Sequence, residues 1–282
     1  IYRNAKQLLE EFMHEQLGRA DVAGLDAPYA EPRKIESLSD CYFYHTMDVP
    51  GHGTIAGEWD LRGREGEYLG HFDFAGKRVL DVGAASGILS FFIEKQGADV
   101  VSYDLSDEFD WDIVPFEVND NKAARESRRN HLRMINNGYW LCHEAFSSRA
   151  KMVNGVVYDI PTSIGSVDVS VFGSILLHLR DPFLALENAA RITDETIIVA
   201  DLSPYSKLKS KFAKNPKFMP RGSDPHGITD GWYRLPPLLV EEYLRILGFE
   251  KTRIEWHKFI YGSQERWIYT IIADRVRPKR NV

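Results

Sequence analysis

The chain has 282 residues, 44% of them hydrophobic and 27% charged, enough to bury one full α/β core with accessory elements. A formal net charge of −6 removes the global electrostatic case for nucleic-acid binding, and no apolar run reaches the ~20 residues of a spanning helix. Two cysteines, Cys41 and Cys142, form neither a disulfide framework nor a metal-ligand set; they fit a reducing cytoplasm, and no metal is expected.

In chain order, residues 4–18 place Leu8, Leu9, Phe12, Met13 and Leu17 at helical spacing, ended by Gly18, as a lid or docking helix would. Residues 39–70 mix His, Gly, aromatic and acidic side chains without periodicity, a composition suited to shaping a pocket. Residues 1–75 are therefore expected to form a cap. Val79, Leu80 and Val82 then make a short apolar strand, Gly83 and Gly87 close a turn, and residues 88–96 read as an amphipathic helix. Val100, Val101 and Tyr103 form a second strand with Asp104 at its carboxyl end. Residues 106–116 are acidic and aromatic, and a helix is expected over 119–137. Residues 153–160 read as the next strand, then 167–172 running into Gly173, a helix over 183–191 and a strand over 196–200. Residues 203–236 form an insertion, followed by a helix over 236–247 that ends at Gly248. Two last strands, 252–259 and 267–273, precede a basic tail at 276–282. The alternation of strand and helix predicts an α/β fold: a Rossmann-like sheet with helices on both faces, the domain spanning 76–275.

The turn carries chemical information. An acid about twenty residues beyond a glycine turn, at the end of the next strand, accepts hydrogen bonds from two ribose hydroxyls, so Asp104 marks an adenosine half-site. A dinucleotide fingerprint needs three closely spaced glycines for a pyrophosphate at the helix N-terminus. Here the middle position is Ala85, and Asp81 stands ahead of the turn, where it suits an ammonium better than a phosphate. A plain βαβ turn in which Gly83 and Gly87 only close the chain is the alternative, and Asp81 with Asp104 argues against it.

The segment Asp81-Val-Gly83-Ala84-Ala-Ser-Gly87 resembles the cofactor loop of class I S-adenosylmethionine-dependent methyltransferases, with Ala85 replacing the usual middle glycine. Together with His45-Thr-Met-Asp-Val-Pro, Gly57-Glu-Trp59-Asp-Leu-Arg, Leu176-Leu-His178-Leu-Arg-Asp-Pro182 and the Leu235 to Phe249 run, it is similar to a bacterial branch of methyltransferases related to the tRNA wobble-uridine carboxymethyltransferases. The likeness covers residues 42–275. It implies a seven-stranded methyltransferase sheet with S-adenosyl-L-methionine as cofactor, held by Trp59, Asp81, Gly83, Ala84, Gly87 and Gly173, with Asp104 and Leu105 at the ribose and Val157 and Tyr158 at the adenine. His45 and Arg64 stand where that family carries lysines for the extra carboxylate of a carboxy-S-adenosylmethionine, and Leu177 stands where it carries tyrosine. The ordinary cofactor is therefore expected.

Methyl transfer needs an aligned nucleophile and, for a protonated one, a base. Histidine has the fitting pKa. His45, beside the cofactor, and His226, in the insertion, are the catalytic candidates among His52, His143 and His178. His52, Arg64, Leu177, Trp232 and Tyr233 are expected to line the acceptor site. The acidic balance and the aromatic insertion point to a small-molecule acceptor with no membrane partner. A tRNA-modifying enzyme is the alternative and would need Arg125, Arg129, Arg149, Lys207, Lys209 and Lys211 on one basic face. The sequence leaves the assembly state open, a homo-oligomer being one option.

Overall fold

The computed structural model of the chain describes residues 29–114, 121–220, 231–261 and 264–278. The expected helix over 4–18 and His226 lie outside the described residues. In chain order the elements are β1 (Met47–Val49), β2 (Gly53–Ile55), β3 (Trp59–Asp60), α1 (Glu65–Tyr68), β4 (Arg78–Val82), α2 (Ile88–Lys95), β5 (Asp99–Asp104), α3 (Lys122–Ala145), β6 (Lys151–Asn154), β7 (Val167–Gly173), α4 (Pro182–Ile192), β8 (Thr193–Leu202), α5 (Lys207–Ser210), β9 (Lys217–Phe218), β10 (Tyr233–Arg234), α6 (Pro237–Ile246), β11 (Phe249–Tyr261) and β12 (Gln264–Arg275).

The main sheet has the strand order β3-β11-β12-β8-β7-β4-β5-β6. Strands β8, β7, β4, β5 and β6 are mutually parallel, and β12 enters antiparallel between β8 and β11. This is the expected Rossmann-like sheet with an eighth strand, β3, added at the β11 edge through Ile260 and Tyr261. The cap region thus supplies an edge strand to the sheet.

Parallel strands are buried on both faces, and their residues alternate between two cores. Val79 and Val100 face the layer of α2 and α3 with Leu89 and Tyr139, whereas Leu80, Val82 and Val101 face the layer of α4 and α6 with Leu186 and Val240. Local sequence fixes the helix starts. Asn121 Oδ1 accepts from the Ala124 N–H at 3.0 Å to cap α3, and Asp181 Oδ1 accepts from Leu184 N–H at 2.9 Å just ahead of Pro182 in α4.

Two expectations are corrected. Strand β6 ends at Asn154 rather than at 160. A Cβ at Gly155 would lie 2.3 Å from the Tyr103 hydroxyl, which donates to Val156 O at 2.9 Å, so the chain is turned out of the sheet there. From β6 to β7 it then travels with only a 3-10 turn at Thr162–Ile164, breaking the strand-helix alternation. Helix α3 runs to Ala145, eight residues past the expected end at 137, carrying the buried Tyr139, Trp140, Leu141 and Cys142 on the core.

Candidate active site

Strand order reverses at β4, which has β5 on one side and β7 on the other. The crevice outside the carboxyl ends of strands at such a point is where open α/β sheets bind ligands. The chain leaves β4 there through the turn at residues 83–87. Gly83 (φ 79), Ala85 (φ 48) and Gly87 (φ 89) all adopt left-handed backbone, so Ala85 occupies a conformation that favours the glycine it replaces. At Gly87 a Cβ would stand 2.3 Å from the Phe91 ring, which excludes any other residue without rearrangement.

Asp104 ties this turn to the end of β5. Its Oδ2 accepts from the Ala85 N–H at 2.6 Å and its Oδ1 from the Leu105 N–H at 2.7 Å. Each oxygen keeps a second lone pair. Burial pushes its carboxyl up to about 6, against the two amide bonds that pull it down.

Asp81, two residues before Gly83, is buried in the α2 layer. Its Oδ2 accepts from the Ser90 hydroxyl at 2.6 Å, and the chain of hydroxyls continues through Ser102 at 2.7 Å to Tyr139 at 2.9 Å. Its Oδ1 is buried with no partner. Burial, with Asp104 adding to it against the Ser90 bond, lifts its pKa to about 7.

Segment 42–46 crosses beside the turn. Ser86 Oγ donates to Tyr42 O at 3.2 Å, and two residues on, Trp59 N–H donates to Tyr44 O at 2.9 Å. The structure in this way brings Trp59, Asp81, Gly83, Ala84, Gly87, Asp104 and Leu105 into one connected region. Trp59 stacks on Tyr261 with ring centroids 4.7 Å apart. Gly173 ends β7, the neighbour of β4, with its Cβ position 2.6 Å from Leu89. Val157 and Tyr158 follow the Gly155 turn. Val157 is buried, and the half-buried Tyr158 donates its hydroxyl to Asp112 Oδ2 at 2.5 Å.

Asp112 organises the acidic-aromatic segment after β5. Besides Tyr158 it accepts from the Arg180 N–H at 2.7 Å and the Arg180 side chain, and its backbone oxygen accepts from Trp232 Nε1 at 2.7 Å. Trp232 N–H in turn donates to Leu177 O at 2.7 Å, and Tyr233 packs on Phe218 with centroids 5.5 Å apart. Leu177, Trp232 and Tyr233 are thus gathered over the ends of β7 and β8.

Three expected site residues are placed differently. Desolvation of the half-buried ring lowers His45 to about 4, outweighing the raising effect of Glu58. The ring is neutral at pH 7 and lacks the proton affinity expected of a base. Arg64 is fully engaged in fixing α1 to β11: Nε and Nη2 donate to Glu67 at 2.7 and 2.9 Å, Nη1 donates to Lys258 O at 2.8 Å, and the guanidinium lies 4.4 Å from the Phe259 ring centroid. His52 is exposed in the β1–β2 turn, where its N–H donates to Val49 O at 3.0 Å. The basic residues of the tRNA alternative are separated as well. Arg125 and Arg129 ride on α3 between β5 and β6, while Lys207 and Lys211 border a hollow with Ile254 and Trp256 of β11, toward the other end of the sheet.

The sequence reading passed over two groups. Tyr68 Oη and Ser174 Oγ are hydrogen-bonded at 2.9 Å at the end of β7, with Ser174 in left-handed backbone (φ 54). Asp201, at the end of β8, is 1% exposed. The signal for it was in the sequence, since Asp201 closes Ile197-Ile-Val-Ala200 just as Asp104 closes its own apolar strand.

No family model and no curated protein matches the chain. Among solved structures it is similar to the N-terminal domain of EvdMO1 with SAH bound (15% identity, TM-score 0.49, 76% of this chain and 82% of that one). It is also similar to magnesium protoporphyrin IX methyltransferase (ChlM) from Synechocystis PCC 6803 with bound SAH (14%, 0.47, 75% and 80%). A third likeness is to Burkholderia thailandensis 1,6-didemethyltoxoflavin-N1-methyltransferase with bound 1,6-didemethyltoxoflavin and S-adenosylhomocysteine (13%, 0.48, 77% and 78%). These are distant likenesses of shape, and the chemistry is read from this chain's own residues.

Proposed function

We propose that the chain is an S-adenosylmethionine-dependent methyltransferase acting on a small-molecule acceptor. The observation that carries this reading is the pairing of Asp104, locked to the turn through Ala85 N–H, with the unpartnered buried Oδ1 of Asp81. A nucleoside with a cationic tail suits both: hydroxyls for the remaining lone pairs of Asp104, and an ammonium for an oxygen that burial leaves without a donor. Trp59, Gly83, Ala84, Gly87, Leu105, Val157, Tyr158 and Gly173 are proposed to complete the contact, with residues 203–236 as the acceptor lid on the 76–275 domain.

The cofactor supplies an electrophilic methyl group on a sulfonium. This chain's work is to orient and to exclude water. Asp104 and the left-handed turn fix where the nucleoside end rests. Leu177 and Trp232, joined by a backbone hydrogen bond, cover the crevice where an acceptor would lie. Acceptor alignment supplies most of the rate in such displacements, since held reactants avoid the entropy cost of encounter. The separation of the arginines on α3 from the lysines near α5 favours a small acceptor over a tRNA, whose phosphates need a continuous basic face.

Isothermal titration with S-adenosylmethionine and with S-adenosylhomocysteine tests the reading. Micromolar binding that Asp104→Ala weakens at least 100-fold is expected. A folded protein that takes up neither ligand would refute the assignment.

A further inference from the structure

At the ends of β8 and β10 two groups of complementary charge act on one another without a hydrogen bond or ion pair between them. Asp201 Oδ1 accepts from its neighbour's Leu202 N–H at 2.6 Å, and the Leu177 N–H also acts on the carboxyl, whereas Oδ2 is buried with no partner. The only positive charge acting on Asp201 among the described residues is Arg234. Its position is set by the sheet. Tyr269 is the register partner of Asp201 across β8 and β12, and the Tyr269 hydroxyl donates to Leu235 O at 3.0 Å, one residue from Arg234. No hydrogen bond, ion pair or ring contact engages the Arg234 side chain among the described residues. A buried carboxylate oxygen without a donor is costly and calls for a partner from outside the chain, and the half-buried Arg234 keeps its guanidinium open to a ligand anion.

Resting on the methyltransferase reading, we propose that Asp201 and Arg234 form the acceptor subsite. Asp201 Oδ2 takes the proton of the attacking hydroxyl or amine, and Arg234 holds an oxyanion, carboxylate or phosphate, on the same molecule. The acceptor's O–H or N–H bond breaks toward Asp201 as its new bond to the methyl carbon forms. The sulfur–methyl bond breaks with its electron pair staying on sulfur, leaving a thioether. Burial lifts Asp201 to about 7 despite the Arg234 charge, so near neutral pH it is both available as a base and able to hold the proton. The other ionisable groups facing it are the phenols of Tyr68 on α1 and Tyr269 on β12, both held neutral far above that range. The residues flanking β10 hold it beside the subsite, Trp232 N–H donating to Leu177 O at 2.7 Å and the Tyr269 hydroxyl to Leu235 O at 3.0 Å.

Two measurements on the full chain test this. In protein carrying ¹³C-labelled aspartate, side-chain NMR should show a carboxyl titrating near 7 that Asp201→Asn removes and Arg234→Gln moves upward by half a unit or more. With saturating S-adenosylhomocysteine, calorimetry should show 2-hydroxybenzoate, 2-aminobenzoate or glycerol 3-phosphate binding at least tenfold more tightly than phenol, aniline or glycerol, a preference that Arg234→Gln abolishes. An Asp201 titration that ignores Arg234→Gln, or oxyanion probes that bind no better than their neutral counterparts in a protein that does bind S-adenosylhomocysteine, overturns the subsite alone. Failure to bind S-adenosylhomocysteine instead overturns the reading beneath it.

Discussion

A buried carboxylate has a cost that pH can expose, and Asp81 is the clearest instance. Its folded-state pKa of about 7 lies above the ordinary aspartate value of 3.8. The folded protein therefore binds this proton more tightly than the unfolded chain. Stability from this group is full below pH ~4 and is lost as pH rises toward 7. Asp81→Asn, which removes the titration, should accordingly stabilise the protein by about 2 kcal/mol more at pH 8 than at pH 5, read from denaturant melts at both pH values. Equal effects at both would mean that Asp81 is not held protonated by its surroundings. At this scale the sequence was most informative where chemistry and backbone coincide. Asp81, Gly83 and Asp104 could be picked out because a turn needs glycine and a ribose needs an acid. The full engagement of Arg64 was not legible, because the i,i+3 partner Glu67 is local but the Lys258 carbonyl that completes the set comes from a strand 194 residues away.

Elements were legible in proportion to their periodicity. Strand β4, helix α2 and strand β5 agree with the sequence pattern to within a residue or two at their ends, and the antiparallel pair β11 and β12 closes the chain as expected. Strand β6 was misjudged because Val153, Val156 and Val157 have strong strand preference, and the contact that ends the strand is a tyrosine hydroxyl from β5. Gly155→Ala tests that explanation. The added methyl group would collide with the fully buried Tyr103 hydroxyl, and a loss of about 2 kcal/mol is expected. Combining it with Tyr103→Phe should recover part of the loss in a thermal-melt cycle. If the double variant is simply the sum of the two single ones, the strand ends for another reason. The loop-like stretch 39–70 hid β1, β2, β3 and α1 because these elements are only 2 to 4 residues long, too short for a period to show.

Across the whole molecule, two hydrophobic layers share one sheet, and the crevice lies where helices of both layers begin. A ligand seated there touches the ends of β4, β5 and β7 together, so its binding should stabilise the fold as a unit. At a concentration 100 times its dissociation constant, S-adenosylhomocysteine is expected to add about 2.7 kcal/mol and to raise the melting temperature by about 5 °C. A rise confined to one of two separate transitions would show that the layers unfold independently. The lone oxygen of Asp81 has one more consequence. With a pKa of about 7 the carboxyl is half occupied at neutral pH, and an ammonium set beside it expels that occupant. Complex formation at pH 7 should then release about half a proton to the medium. The calorimetric heat will differ between phosphate and Tris by that fraction of their ionisation enthalpies, and the difference will vanish in Asp81→Asn.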